Sequence, residues 1–110
     1  MVWTPRRATT TRDLTASLGS DWTGGTVTAR RPGDVVMIDM QQIARAAPGT
    51  GETMLLTLPV GFRPSANIYG ASFRGMRTRC RTTGAMSIYD PSASFDYLSF
   101  TYITSDGRTA

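Results

Sequence analysis

Apolar residues recur at every second position in several short stretches of this chain. The longest such stretch covers residues 35–43, where Val36, Ile38 and Met40 fall on one wholly apolar face. Because successive side chains of a β-strand point to opposite faces, this alternation predicts a half-buried strand. The turn before it contains Pro32, which presets a corner, and Gly33, which accepts a positive φ. Strands 26–31 and 35–43 should therefore form a hairpin.

Further short strands follow the same period, and turn residues separate them every eight to twelve positions. They are predicted at residues 53–58, 66–73, 76–82, 85–89 and 96–104. No crossover helix is apparent, and residues 44–51 are expected to form a loop. This pattern predicts an all-β fold, either a β-sandwich or a barrel, and of the two we expect an antiparallel β-sandwich with a jelly-roll-like arrangement.

Two of these strands carry specific expectations about the core. In strand 53–58, Met54, Leu56 and Leu58 should point inward. The final strand, with Leu98 and Phe100 on one face together with Tyr102, is expected to lie at the centre of a sheet. Both predictions rest on alternation alone.

An abrupt corner at residues 59–64 separates the two halves of the pattern. Pro59 and Pro64 lack an amide donor and cannot lie within a paired central strand. Phe62, a large apolar side chain between them, is expected to plug one end of the core.

The length of 110 residues fits one domain, and a hydrophobic content of 40% is typical of a globular chain. Residues 1–20 are the least patterned and are predicted to form an N-terminal arm or linker, with the sandwich covering residues 21–110. No apolar run approaches the length of a membrane span, and the N-terminus lacks a secretory-signal pattern. We therefore expect no membrane partner and a cytoplasmic origin.

The formal charge is +4, and all twelve basic residues are arginine. Arg77, Arg79 and Arg81 alternate on one strand and should share a face, where like charges repel unless they are paired or solvated. One interpretation is that their guanidinium groups hold an anionic glycan or a phosphate-bearing wall polymer. The other is a subunit contact or a solvated surface.

Two aromatic residues are candidates for the same kind of binding. Trp22 could stack on a sugar ring or could pack on the sandwich edge, and Tyr89 is the best-placed loop aromatic. The candidate ligand-binding residues are therefore Trp22, Arg77, Arg79, Arg81 and Tyr89.

Catalytic and metal-binding chemistry is not predicted. The chain has no histidine and a single cysteine, Cys80, which excludes an intrachain disulfide, the common zinc sites and histidine-assisted nucleophiles. Cys80 is expected to point inward. The one glutamate and seven aspartates show no grouping, and loop residues Asp90, Asp96 and Asp106 match no calcium-loop spacing. We therefore predict no catalytic residue, no metal and no cofactor.

The order of these elements resembles the small β-domains of bacteriophage tail fibres and minor tail proteins. The features that carry the resemblance are Trp22, the hairpin segment TVTARRPGDVV at residues 26–36 and the corner LPVGFRP at residues 58–64. The similarity covers about residues 20–104.

This resemblance implies a homotrimeric, non-enzymatic tail component of a phage or prophage, made in the host cytoplasm and located in the virion tail. Its partners would be other tail proteins and a host cell-surface glycan. One alternative is a purely structural trimerising tail module. Another is a basic β-barrel that binds nucleic acid, which the sequence disfavours because the aromatic residues and the arginines fall on different predicted strands.

Overall fold

The structure is a computed structural model that describes residues 10–45, 47–91 and 95–106. This part of the chain contains nine β-strands, one short 3₁₀ turn at Thr15–Ser17 and no α-helix, so no helix in it could cross a membrane. The strands are β1 (Thr10–Asp13), β2 (Trp22–Thr23), β3 (Thr26–Arg31), β4 (Val35–Arg45), β5 (Glu52–Thr57), β6 (Ile68–Ala71), β7 (Arg77–Cys80), β8 (Ala85–Tyr89) and β9 (Asp96–Ile103).

The first sheet has five antiparallel strands built around β4. Strands β3 and β2 pair along one side of β4, β9 pairs along the other, and β1 pairs with β3. The predicted hairpin of β3 and β4 is confirmed, with Thr26 opposite Gln41 and Arg30 opposite Met37. Strand β4 continues to Arg45, two residues into the segment that was predicted to be a loop.

The second sheet has four antiparallel strands in the order β5-β8-β7-β6. The pairings β4 with β9, β5 with β8 and β6 with β7 are nested within one another, which is the jelly-roll-like feature of the fold. The two sheets pack face to face, and the predicted all-β antiparallel sandwich is confirmed. The buried core draws on both sheets and includes Val27, Val36, Ile38, Met40, Ile43, Leu56, Cys80, Met86, Ile88, Leu98 and Phe100.

The predicted central position of the last strand is wrong. Among the described residues no strand pairs with the side of β9 that faces away from β4, so β9 forms an edge of the five-stranded sheet. Its outer edge is nevertheless partly covered by loops: the amide of Phe73 donates to the Tyr97 carbonyl at 2.8 Å and the amide of Ser65 donates to the Ile103 carbonyl at 3.0 Å.

The inward position predicted for Met54 is also wrong. The pairing of β5 with β8 shifts register between Met54 and Leu56, so the strand contains a bulge. The extra residue lets Leu55 and Leu56 both enter the core, while Met54 is 48% exposed. A bulge changes which side chains face inward, and simple alternation fails across it.

The corner at residues 59–64 closes one end of the sandwich, as predicted. Phe62 is 2% exposed and belongs to the core cluster. Its carbonyl accepts a hydrogen bond from the Tyr102 hydroxyl of β9. The carboxylate of Asp106 accepts hydrogen bonds from the amides of Gly61 at 2.9 Å and Arg63 at 3.1 Å, which fixes the backbone of the corner.

A buried arginine lies beneath this corner. Arg31 is 3% exposed and donates to the carbonyls of Gly61 at 2.6 Å, Asp106 at 2.7 Å and Gly33 at 2.8 Å. Carbonyl acceptors satisfy a guanidinium that would otherwise be costly to bury. Arg31 therefore ties the hairpin turn, the corner and the C-terminal segment together.

Part of the predicted arm belongs to the folded body. Strand β1 pairs with β3 from Thr10 opposite Arg31 to Asp13 opposite Thr28, and Leu14 is buried in the core. Residues 1–9 of the predicted arm lie outside the described residues.

Candidate ligand-binding face

Arg77, Arg79 and Arg81 lie on the outer surface of the four-stranded sheet. The alternating residues Thr78 and Cys80 are 3% and 0% exposed on the core side, so the pleat of β7 directs the arginines outward. We call this surface, with the neighbouring side chains of β5, β6 and β8, the arginine face.

A carboxylate from the same chain lies among these arginines. Glu52 accepts hydrogen bonds from Nε of Arg79 at 2.9 Å, from Nη2 of Arg81 at 2.9 Å and from the Ser87 hydroxyl at 2.8 Å. A second guanidinium nitrogen of Arg79 also contacts it. The Ser87 hydrogen bond, followed by the pairing with Arg79, lowers the pKa of Glu52, so the carboxylate stays ionised at neutral pH. Three arginines and one glutamate leave this group of four side chains with a net charge of +2.

Arg77 has a different environment from its two neighbours. Its guanidinium lies 4.8 Å from the ring centroid of Tyr89, and the guanidinium of Arg79 lies 6.0 Å from the same ring. Both distances fit cation–π contacts. Within the described residues Arg77 makes no ion pair with a carboxylate, so its hydrogen-bond donors can face a ligand.

A second tyrosine borders the arginines on the side opposite Tyr89. Tyr69 of β6 is paired with Arg79 in the sheet register and is 68% exposed. The arginine face therefore combines guanidinium groups with two phenol rings contributed by neighbouring strands.

Trp22 lies away from this face, at the edge where β2 approaches β5. It is 9% exposed, its indole nitrogen donates to the Met54 carbonyl at 2.8 Å, and the Arg45 guanidinium lies 5.3 Å from its ring. These contacts correspond to the packing interpretation of Trp22. Of the five candidate residues, Arg77, Arg79, Arg81 and Tyr89 are brought together and Trp22 is separate.

Glu52 is the member of the face that sequence reasoning did not find, and Tyr69 was considered only as one of four tyrosines that could supply an aromatic surface. Glu52 precedes Arg79 by 27 residues and Arg81 by 29 residues, and they meet only because β8 lies between β5 and β7. Glu52 is the one glutamate of the chain, which marks it as a possible partner for the arginines, but its place beside them could not be predicted without the strand order.

The carboxylates that were predicted to lie in loops accept hydrogen bonds from backbone amides and do not group together, and Asp96 is the first residue of β9. Asp90 accepts from the Gly51 amide at 2.6 Å, and Asp96 accepts from the amides of Arg74 at 3.1 Å and Tyr97 at 2.8 Å. In the part of the chain that the structure describes, no group of three or more histidine, cysteine, aspartate or glutamate residues could hold a metal ion.

The chemistry this surface can perform is recognition of anions. Guanidinium groups match the geometry of phosphate and carboxylate oxygens, and aromatic rings beside them can stack on flat or apolar parts of a ligand. A scan against protein-family models finds no match to this chain, and a search of curated proteins also finds none.

Proposed function

We propose that this chain is a non-enzymatic tail fibre or minor tail component of a phage or prophage, a trimer that helps attach the particle to an anionic polymer on the host surface. The observation that carries the attachment role is the arginine face, which is solvent-accessible and has a net charge of +2. The tail role is supported by the resemblance of the hairpin and corner segments; the hairpin lies within the five-stranded sheet, and Phe62 of the corner belongs to the core cluster.

The arrangement of the face suggests how such a polymer would be held. Arg77 offers a guanidinium fork to a phosphate or carboxylate group, and the ring of Tyr89 keeps that guanidinium in place. Tyr69 presents an exposed ring on β6, the strand next to β7, and this ring suits the adjacent apolar part of the polymer. The ligand class is an acidic glycan or a phosphate-bearing wall polymer.

Binding to immobilised anionic glycans and teichoic-acid-type polymers tests the attachment role. We expect Arg77→Ala to weaken binding about tenfold, as for the loss of one charge-assisted contact. Arg30→Ala is the matched control, because Arg30 is an exposed arginine on the outer surface of the other sheet. If both variants bind like the wild type, the arginine face does not attach to the host, and the purely structural tail module becomes the better explanation.

The trimer is tested separately by solution mass. Sedimentation or light scattering at micromolar concentration should give three times the 11.9 kDa chain mass. A stable monomer would count against the tail role even if the anion binding were found.

Nucleic acid is a second candidate ligand, and one observation favours it. Although the aromatic residues and the arginines lie on different strands, Tyr69 and Tyr89 flank the arginines on one face. Single-stranded nucleic acids bind to such combinations of cationic groups and stacking rings. Titration with oligonucleotides at several salt concentrations tests this: Tyr69→Leu should weaken nucleic-acid binding, and the absence of salt-sensitive binding would remove the candidate.

A further inference from the structure

A recessed surface lies on the outer side of the five-stranded sheet, across the sandwich from the arginine face. It is an open groove of about 340 Å³ where the turn between β6 and β7 folds beside β9. We call it the β9 groove; its lining includes Asp39, Gln41, Ser72, Phe73, Tyr97 and Ser99. Its volume is at the lower end of the range for small-molecule sites, which suits a ligand of one or two rings.

Two aromatic rings form one wall of the β9 groove. Phe73 is 83% exposed, and its ring meets that of Tyr97 edge to face, with centroids 5.9 Å apart and an interplanar angle of 83°. The turn that carries Phe73 is anchored to β9, since the Phe73 amide donates to the Tyr97 carbonyl at 2.8 Å and the Arg74 amide donates to Asp96 at 3.1 Å. A phenylalanine fixed in this exposed position gains by being covered with an apolar surface.

Polar groups form the floor beside this wall. Asp39 and Ser99 are directly opposite each other in the pairing of β4 with β9. The side-chain amide nitrogen of Gln41 donates to both carboxylate oxygens of Asp39, at 3.2 Å each, and so orients the carboxylate. A carboxylate has about four acceptor positions, so this contact leaves acceptor capacity for ligand hydroxyl groups.

From this geometry we propose that the β9 groove binds a neutral saccharide. The C–H face of a pyranose ring would stack on Phe73. The carboxylate of Asp39 and the side-chain carbonyl oxygen of Gln41 would accept hydrogen bonds from the hydroxyl groups of the sugar. The carboxylate disfavours acidic sugars, because it would repel their charge. The two outer surfaces would therefore select different ligands, and the inference stands whether or not the chain is a tail component.

Chemical-shift titration of the full chain with methyl glycosides of glucose, galactose and N-acetylglucosamine tests this inference. We expect millimolar binding to at least one sugar, with shifts centred on Phe73, Tyr97 and Ser99. Phe73→Ala should weaken binding by about tenfold or more, with the fold intact because this side chain is largely exposed. Phe95→Ala is the matched control, since Phe95 is also exposed but is not among the residues that line the groove.

A second variant tests the charge argument. Asp39→Asn keeps one acceptor oxygen and removes the negative charge, so binding of the neutral sugar should weaken while a glucuronate glycoside gains affinity relative to the neutral sugar.

Several results would overturn the proposal. One is the absence of shifts in the groove with all three sugars at concentrations on the order of 50 mM, far above the expected range. Another is equal binding by the Phe73 and Phe95 variants. A third is a set of groove shifts that depends on protein concentration alone, which would mean that a second copy of the chain covers the groove.

Discussion

Replacing Asp106 by alanine should destabilise the protein more than any other exchange of a surface-accessible carboxylate. Asp106 is 15% exposed in its side chain and accepts four hydrogen bonds. Two come from the amides of Gly61 at 2.9 Å and Arg63 at 3.1 Å, and two from Nε and Nη2 of the Arg63 side chain at 3.1 Å each. The variant removes all four acceptor contacts and leaves the amides of Gly61 and Arg63 without this acceptor.

The size of the destabilisation follows from the hydrogen bonds that these donors lose. Hydrogen bonds to a charged group contribute about 1.5–3 kcal/mol each when buried, but the Arg63 side chain is 33% exposed and water replaces part of its share. The two backbone amides then dominate, and we expect Asp106→Ala to lower the free energy of unfolding by about 3 kcal/mol. Asp34→Ala is the control: that side chain is 80% exposed with one long contact to Arg31, and its loss should stay within about 0.5 kcal/mol.

Urea denaturation followed by circular dichroism measures both variants, and the pH dependence gives a second test. The hydrogen bond from Arg63, first among several contacts, lowers the pKa of Asp106 in the folded state. In the unfolded chain the pKa of this carboxyl should be about 3.9. Between the folded and the unfolded pKa the native state binds fewer protons than the unfolded state, so the free energy of unfolding rises with pH. The contribution is complete above the unfolded pKa and is lost as the pH falls through the folded pKa.

The difference between wild type and Asp106→Ala should therefore shrink in acid. Other carboxylates with lowered pKa values, such as Asp13 and Glu52, are common to both proteins and cancel in the comparison. A destabilisation below about 1 kcal/mol at neutral pH would refute the assignment of Asp106 as the anchor of the corner. A difference of the same size at pH 7 and at about pH 2 would refute the electrostatic part of the reasoning.

Three further predictions concern other parts of the molecule. Gly25→Ala should lower the free energy of unfolding by about 2 kcal/mol, because φ is +83° and the new Cβ would lie 2.6 Å from the Gln41 backbone carbonyl oxygen. Gly33→Ala, where φ is +79° and the space is open, should lower it less in the same thermal or urea measurement. Equal losses would contradict the steric explanation. Burial raises the pKa of the Cys80 thiol to about 12, so a maleimide should label it only after unfolding, and rapid labelling of the native protein would contradict its position. Glu52→Gln should strengthen binding to a polyanion such as heparin several-fold with a steeper salt dependence, and unchanged binding would show that the carboxylate does not compete with ligands.

The sequence predicted the strands whose two faces differ most. Val36 and Ile38 are buried because a period of two with one wholly apolar face has a single favourable register. The same reasoning failed in β5, where the bulge between Met54 and Leu56 inserts one residue and brings two leucines inward. Nothing in the local pattern marks that insertion, because Met, Leu and Leu are all apolar.

Contacts between distant segments were the harder part. The positions of Val27 and Ala29 on the core side already place Arg31 inward by alternation, but its acceptors are carbonyls of Gly61 and Asp106, far along the chain. The pairing of Glu52 with Arg79 likewise depends on the order of strands in the sheet. Alternation specifies which face a side chain occupies and leaves its partner undetermined.

The carboxylate of Glu52 has a consequence for the strength of any attachment made by Arg79 and Arg81. An incoming anion must displace a carboxylate of the same sheet that already accepts hydrogen bonds from both guanidinium groups. Small monovalent anions in dilute solution compete poorly with the Glu52 carboxylate for these two guanidinium groups. A polymer with repeated negative charges can first bind Arg77 and then replace Glu52 at Arg79 and Arg81 one contact at a time. The surface would therefore favour long polymers over their isolated building blocks, and the polymers would dissociate stepwise.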